Sequence, residues 1–173
     1  MEGLEIVWLS KDFARVWADE LLRIKNLIPT PPWTKDILLN DSWADGKYGK
    51  GKWERSWVAL LNEQIVGLTL CWEKPAEEGT LYTTNSLYIQ SMAVDTPWQR
   101  KGVGWQMVAR VLDDARERGL LYLNTPNPML VTTQTNSADW NQGVINFYIK
   151  CGFRIIGATE IHDRTDVVLA QTV

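Results

Sequence analysis

Val94-Asp95-Thr96-Pro97-Trp98-Gln99-Arg100-Lys101-Gly102-Val103-Gly104 joins an apolar β-type run, Leu87–Val94, to the most amphipathic segment of the chain. Over Gly102–Arg118 the residues Val103, Met107, Val108, Val111, Leu112 and Ala115 form one apolar face at helical spacing. Arg110, Asp113, Asp114, Arg116, Glu117 and Arg118 cover the other face, and Gly119 supplies a C-terminal stop. A strand, a glycine-bearing turn and a helix start, in that order, make a phosphate cradle. Gly102 and Gly104 let the backbone come close to a ligand, the first N–H groups of the helix point at it, and the helix dipole adds partial positive charge. Arg100 and Lys101 place two cations at the same spot. The segment has no Gly-Lys-Ser/Thr ending, which excludes a P-loop built around a magnesium-bound phosphate. It also lacks a third glycine and follows hairpins, which excludes a Rossmann dinucleotide site.

Upstream, Leu4–Leu9 reads as a first strand. Phe13, Val16, Trp17, Leu21, Leu22 and Ile24 recur at helical spacing behind a candidate N-cap at Ser10 or Asp12, which predicts one amphipathic helix over Lys11–Lys25. Pro29-Thr30-Pro31-Pro32 ends it, and a weaker helical segment follows at Thr34–Asn40. In Asp41–Arg55, Gly46, Gly49 and Gly51 alternate with Lys47, Lys50 and Lys52, a composition that predicts a mobile surface loop. Trp57–Leu61 and Ile65–Trp72 flank Asn62-Glu63-Gln64 as a hairpin, and Pro75–Gly79 is a turn.

Downstream, Gly143–Lys150 reads as a helix with Gly152 as its C-cap, and Phe153–Ile161 and Asp166–Thr172 read as the last strands. Two β-type runs compete for the strand between the helices, Leu120–Thr125 and Met129–Gln134. Pro126 and Pro128 separate them and cannot donate to a ladder, so one uninterrupted strand is excluded. Met129–Gln134 is preferred, since Thr132, Thr133 and Gln134 lead towards Asn141, and Tyr122–Pro128 becomes an inserted loop.

A chain of 173 residues that is 45% hydrophobic and 23% charged can bury a proper core, and it is expected to form a single domain over 1–173. No apolar run is long enough to cross a bilayer, and Met1-Glu2-Gly3 leads into no apolar leader segment, so neither a membrane nor secretion is expected. Cys71 and Cys151 offer neither a metal motif nor a disulfide framework, which points to a reduced, cytoplasmic protein. The net charge of −3 argues against nucleic acid as a partner. With His162 the single histidine, zinc and Ser-His-Asp chemistry lose their usual ligands, and no metal is expected. Ten tryptophans are the compositional oddity; most are expected to pack, and some to offer cation–π faces to an amine.

Gln99, Gly102 and Gly104 match the Q/R-x-x-G-x-G/A pyrophosphate motif of the GCN5-related N-acetyltransferases, with Val94 and Pro97 as the V-x-x-P lead-in. Farther on, Asn141 to Phe153 resembles that family's N-x-x-A-x-x-x-Y-x-x-x-G-F segment through Asn141, Tyr148, Gly152 and Phe153, with Val144 in place of the alanine. The order of strands and helices is also similar. This resemblance implies an α/β (α+β) fold: a mixed, mostly antiparallel sheet of about seven strands with about four helices, splayed between strands 4 and 5. Coenzyme A would lie in the splay. The strand backbone of Met92, Ala93 and Val94 would hold the pantetheine, and Gln99, Arg100, Lys101, Gly102, Val103, Gly104 and Trp105 the pyrophosphate. Trp105 departs from the small or hydroxyl residue common there, and packing is its expected role. Asn141 would hydrogen-bond the pantetheine arm.

The resemblance also gives Tyr148 a chemical role. A thiolate leaves when an amine attacks a thioester, and a phenol with a pKa of about 10 can return a proton to it. Many relatives place a glutamate base on the fourth strand, but Leu87–Val94 carries no acid. Tyr88 or Gln90 stands near its place, and Glu73 is the nearest candidate carboxylate, with a surface charge as its expected state. The implied activity is acetyl-CoA-dependent N-acetyl transfer to the primary amine of a small molecule, by a monomer or homodimer. Transfer to a peptide or protein amine and a non-catalytic acyl-CoA sensor are the competing functions. The segments 46–52 and Tyr122–Pro128 are expected to select the amine.

Overall fold

Asn62 and Glu63 both adopt positive φ, 48° and 66°, as the tightest hairpin turn requires, and they close the hairpin of β2 (Trp57–Leu61) and β3 (Gln64–Lys74). The other strands of the computed structural model are β1 (Leu4–Trp8), β4 (Ser86–Val94), β5 (Leu130–Asn136), β6 (Arg154–Ile161) and β7 (Arg164–Thr172). The structure describes residues 1–28, 31–41, 51–118, 130–136, 142–161 and 164–172. The strands form one seven-stranded sheet in the order β1-β2-β3-β4-β5-β7-β6. Every neighbouring pair is antiparallel except β4 and β5.

Six α-helices are seen among the described residues, against the four or so expected: α1 (Lys11–Val16), α2 (Ala18–Lys25), α3 (Lys35–Leu39), α4 (Lys52–Arg55), α5 (Val103–Arg118) and α6 (Gln142–Lys150). The excess has two sources. The single helix expected over Lys11–Lys25 breaks at Trp17, whose φ of −106° and ψ of 22° leave the helical well. There the Phe13 and Trp17 rings stack at 6.2 Å, while Leu21 and Ile24 of α2 remain fully buried. The other source is α4, which occupies the end of the expected loop Asp41–Arg55; residues 42–50 lie outside the described residues.

One face of the sheet is covered by α1, α2 and α3, around Leu9, Leu21, Ile24, Leu38, Val58, Leu68, Leu70 and Ala93. The opposite face is covered by α5 and α6, around Cys71, Leu87, Ile89, Val108, Val111, Val131, Ile145 and Tyr148. Of the tryptophans of the first half, Trp53, Trp57 and Trp72 are buried, whereas Trp8 and Trp17 are 51% and 43% exposed. Among the described residues, no helix is long and apolar enough to cross a membrane.

Lys52 is fully buried, which its glycine-lysine context does not suggest. Its ammonium donates to the Leu38 carbonyl and lies 4.4 Å from the centre of the Trp53 ring. Burial pulls its pKa from 10.5 down to about 8. The folded protein therefore holds fewer protons than the unfolded chain between pH 8 and 10.5, so stability rises with pH across that window. A shift of this size corresponds to about 3 kcal/mol at most. Denaturant unfolding of Lys52→Met at successive pH values is expected to show that rise flattened; parallel profiles for the two proteins would disprove it.

Candidate functional site

The register of β4 places a cleft in the middle of the sheet. β4 pairs with β5 at four positions only, from Ser86↔Leu130 to Ile89↔Thr133. Beyond them β4 continues against β3 as far as Val94, and β5 continues against β7 as far as Asn136. Gln90–Val94 and Gln134–Asn136 thus face each other across a gap. The parting coincides with a bulge: Leu70 pairs with Ser91 and Cys71 with Ile89, which leaves Gln90 as the extra residue on β4. A bulge bends its strand and strengthens the local twist, and here it turns β4 away from β5. On the cleft side, alternate backbone groups of Gln90–Val94 have no strand partner, so an extended, amide-bearing chain can pair with them as a strand would. Met92, Ala93 and Val94, expected to contact pantetheine, line this edge.

The cradle lies at the mouth of the cleft. Asp95 caps a 3-10 turn, Thr96–Trp98, and its carboxylate also binds Arg23 at 2.8 Å. Gln99 turns its side chain back and donates to the Val94 carbonyl at 3.0 Å, which ties the loop to the strand end. Arg100 and Gly102 both have positive φ, 60° and 91°, and this alternation curls successive N–H groups towards one point. The two glycines do different work. A Cβ built on Gly102 meets nothing within 4 Å, so the space above it is open for an anion. One built on Gly104 would lie 3.4 Å from the Phe147 ring and 3.7 Å from Val94, so that glycine lets α5 close against α6 and β4. Val103 is buried and anchors the first turn of α5. Arg100 and Lys101 are exposed beside it, with the Lys101 ammonium 4.6 Å from the centre of the Trp98 ring. Trp105 corrects the sequence expectation: it is 59% exposed and does not pack. It stands two positions after Val103 on the helix, well off the stripe made by Val103, Met107, Val108 and Val111.

At the closed end of the cleft sits Tyr148. It is buried, with the rings of Phe147 and Phe153 each 5.2 Å away and edge-on. Thr133, the β5 residue of the last pair before the strands part, donates its hydroxyl to the Ile89 carbonyl at 3.0 Å. Burial pushes the phenol well above its ordinary pKa, so it carries its proton throughout the neutral range. Asn141 lies outside the described residues, as do Leu120–Thr125 and Tyr122–Pro128.

The expected surface carboxylate at Glu73 is also corrected. Glu73 is fully buried, and its carboxylate accepts from Arg55 at 2.7 and 3.1 Å. Arg55, itself fully buried, reaches on to Asp114 of α5 at 2.8 Å. A carboxylate clasped in this way holds α4 and α5 to β3. Gln90 is the bulge residue, and its amide oxygen accepts from the Ser91 hydroxyl. Tyr88 alternates with Leu87 and Ile89 and so faces away from α5, beside Trp72 at 5.8 Å and Tyr82 at 6.2 Å. The Lys74 ammonium sits 3.5 Å from the centre of the Tyr82 ring and 5.4 Å from that of Tyr88. The sequence reading passed over Lys74 and Tyr82 because both flank a segment read as a turn. The available signal was the clustering of Trp72, Lys74, Tyr82 and Tyr88 around one short connection.

The geometry offers an extended slot with a free strand edge, an anion cradle at its mouth, a neutral phenol at its floor, and aromatic rings on the far face. The model of the acetyltransferase (GNAT) family matches residues 18–153. Among proteins with curated descriptions, none matches the chain in sequence. Of solved structures, Ard1 from Thermoplasma volcanium is similar at a TM-score of 0.71 and 19% identity, over 99% of this chain and 98% of that one. Naa50 of Arabidopsis thaliana, in complex with the bisubstrate analogue CoA-Ac-MVNAL, is similar at a TM-score of 0.68 and 19% identity, over 99% of both chains. An aminoglycoside acetyltransferase from an uncultured soil metagenomic sample, in complex with sisomicin, is similar at a TM-score of 0.59 and 18% identity, over 92% of both chains.

Proposed function

The chain belongs to the acetyltransferase (GNAT) family and is an acetyl-CoA-dependent N-acetyltransferase, and from this premise we propose that it acetylates the primary amine of a small molecule by direct attack on the thioester. Acetyl-CoA supplies the activated carbonyl carbon and the thiolate leaving group. The chain's own residues bind, orient and donate. The N–H groups at the start of α5, with Arg100 and Lys101, hold the pyrophosphate in the space left open above Gly102. The unpaired edge of Met92–Val94 orients the pantetheine amides. Tyr148 holds a proton at its phenolic oxygen and donates it to the departing sulfur. The observation that carries this reading is the coincidence at one point of the β4 bulge, the parting of β4 from β5 and the buried Tyr148.

The amine enters from the face opposite Tyr148, where Trp72, Tyr82 and Tyr88 stand. These rings already accommodate one ammonium, that of Lys74, which supports a cationic acceptor. A peptide N-terminus is the second reading, supported by the full-length likeness to Naa50, which was solved with a peptide-bearing bisubstrate analogue. A thiol-detecting screen of polyamines, aminoglycosides and short peptides separates the two. Thiol release with peptides alone would overturn the small-molecule reading.

Tyr148→Phe is expected to lower kcat by about 10²-fold, with little change in acetyl-CoA affinity. A rate within about twofold of the unsubstituted enzyme would mean that water protonates the thiolate and that Tyr148 only packs.

A further inference from the structure

The connection from β3 to β4, residues 75–85, does not turn back beside its own strands. Strands β4, β5 and β7 lie between β3 and β6, yet a Cβ built on Gly157 of β6 would lie 2.7 Å from both Cδ atoms of Leu81. The connection therefore crosses three strands. Alternation fixes the face: Gly157 pairs with Val168, whose neighbours Val167 and Leu169 belong to the cluster around Tyr148, so Leu81 lies on the opposite side. Register fixes the level. Val168 also pairs with Gln134, the first β5 residue past the last β4–β5 pair, so Leu81 stands over the start of the cleft. The next residue, Tyr82, is buried, edge-on to the Tyr88 ring at 6.2 Å, with the Lys74 ammonium 3.5 Å from its centre. Two adjacent side chains thus pin the connection, Tyr82 against β4 and Leu81 against β6. Its own bonds hold the rest: the Glu77 N–H donates to the Tyr82 carbonyl at 2.9 Å, the Tyr82 N–H to the Thr80 hydroxyl at 3.1 Å, and the Ala76 N–H to the Asn85 side-chain oxygen at 2.6 Å.

We propose that residues 75–85 are a strap that selects the acceptor: pinned by Leu81 and Tyr82, they roof the amine's path to the cleft, so a slim alkylamine reaches the thioester and a peptide chain does not. This rests on the small-molecule reading and on the amine entering by the face opposite Tyr148. Between the strap and β6 an open hollow remains, lined by Lys74, Glu77, Tyr82 and Thr159. Thr159 pairs with Asp166, a buried carboxylate on the same face. With the Lys74 ammonium already taken up by the tyrosine rings, Glu77 and Asp166 give the hollow an acidic side that suits an alkylammonium. A peptide needs an open groove for the residues that follow its amine, and the two pins close that groove.

Leu81→Ala removes the pin on β6. It is expected to raise kcat/KM for the peptide MVNAL relative to that for spermidine about tenfold, with KM for acetyl-CoA unchanged. Gly157→Ala reaches the same pin from the other side, since its methyl would collide with the Leu81 Cδ atoms. It is expected to shift the ratio alike on its own and to add nothing to Leu81→Ala, where those atoms are gone. A second readout needs no turnover: hydrogen exchange at the Glu77 and Tyr82 amides is expected to quicken in both single variants. An unchanged ratio overturns the proposal, as does unchanged exchange or silence of Leu81→Ala towards both amines. So does a further shift when Gly157→Ala is added to Leu81→Ala, because β6 would then act without the strap. Thiol release by the unsubstituted enzyme with MVNAL and not with spermidine or any other small amine is a separate failure: it removes the small-molecule reading, and the strap's role with it.

Discussion

Arg55→Met is expected to cost about 3–5 kcal/mol of folding stability, the range for a buried ion pair that loses one partner. Arg55, Glu73 and Asp114 are each fully buried, and the guanidinium joins the two carboxylates, at 2.7 Å to Glu73 and 2.8 Å to Asp114. Arg118 also approaches Asp114, at 3.2 Å, but it is itself partly exposed. Methionine fills similar volume, so the loss comes from charge and not from a cavity. Urea unfolding followed by tryptophan fluorescence gives the value directly, and a loss below about 1 kcal/mol, the scale of a surface pair, would sink the account. Adding Glu73→Leu and Asp114→Leu to Arg55→Met is expected to recover much of the stability, because replacing a whole buried charge group with apolar residues is often neutral or better. The functional consequence follows from position. Asp114 belongs to α5, whose first turn forms the cradle, so this network fixes the proposed phosphate site relative to β3.

What the sequence disclosed and what it concealed divide by the range of the interaction. The turn at Gln99–Gly104 was legible because its shape is backbone conformation within a few residues. The hairpin at Asn62-Glu63 and the apolar stripe of α5 were legible for the same reason. The strand expected at Met129–Gln134 after the two prolines forms over Leu130–Asn136; its parallel pairing with β4 is a long-range feature that only the structure gives. Arg55 and Lys52 were not legible, since Lys52 follows Gly49-Lys50-Gly51 and Arg55 sits between Glu54 and Ser56, a context that marks neither as buried. Their burial depends on Glu73, Asp114, Leu38 and Trp53, and Asp114 stands 59 positions from Arg55. The Gln90 bulge left no local mark either: it is a matter of register between β3 and β4. Periodicity already placed Trp105 off the apolar stripe, so its exposure was the one correction the sequence itself contained.

Gly102→Val is expected to weaken acetyl-CoA binding by about 10²–10³-fold while the protein remains folded. Two effects combine. Gly102 has φ of 91°, a region that a β-branched residue enters at a cost of about 1–3 kcal/mol, so the loop shifts to escape it. That shift misdirects the N–H groups at the start of α5, and charge-assisted hydrogen bonds to a phosphate contribute about 1.5–3 kcal/mol each. Losing about 3–4 kcal/mol in all corresponds to the stated range, at about 1.4 kcal/mol per tenfold. The fold is expected to survive because no atom lies within 4 Å of a Cβ placed there, so the new side chain meets no protein and projects into the space meant for the anion. Gly79 supplies the control. It too has positive φ, 77°, and nothing within 4 Å of a Cβ, yet it lies in the connection between β3 and β4. Gly79→Val therefore carries the same backbone penalty and is expected to leave acetyl-CoA affinity unchanged by calorimetry. Equal losses of affinity in the two variants would trace the effect to general destabilisation, and full affinity in a folded Gly102→Val would remove the pyrophosphate from this loop.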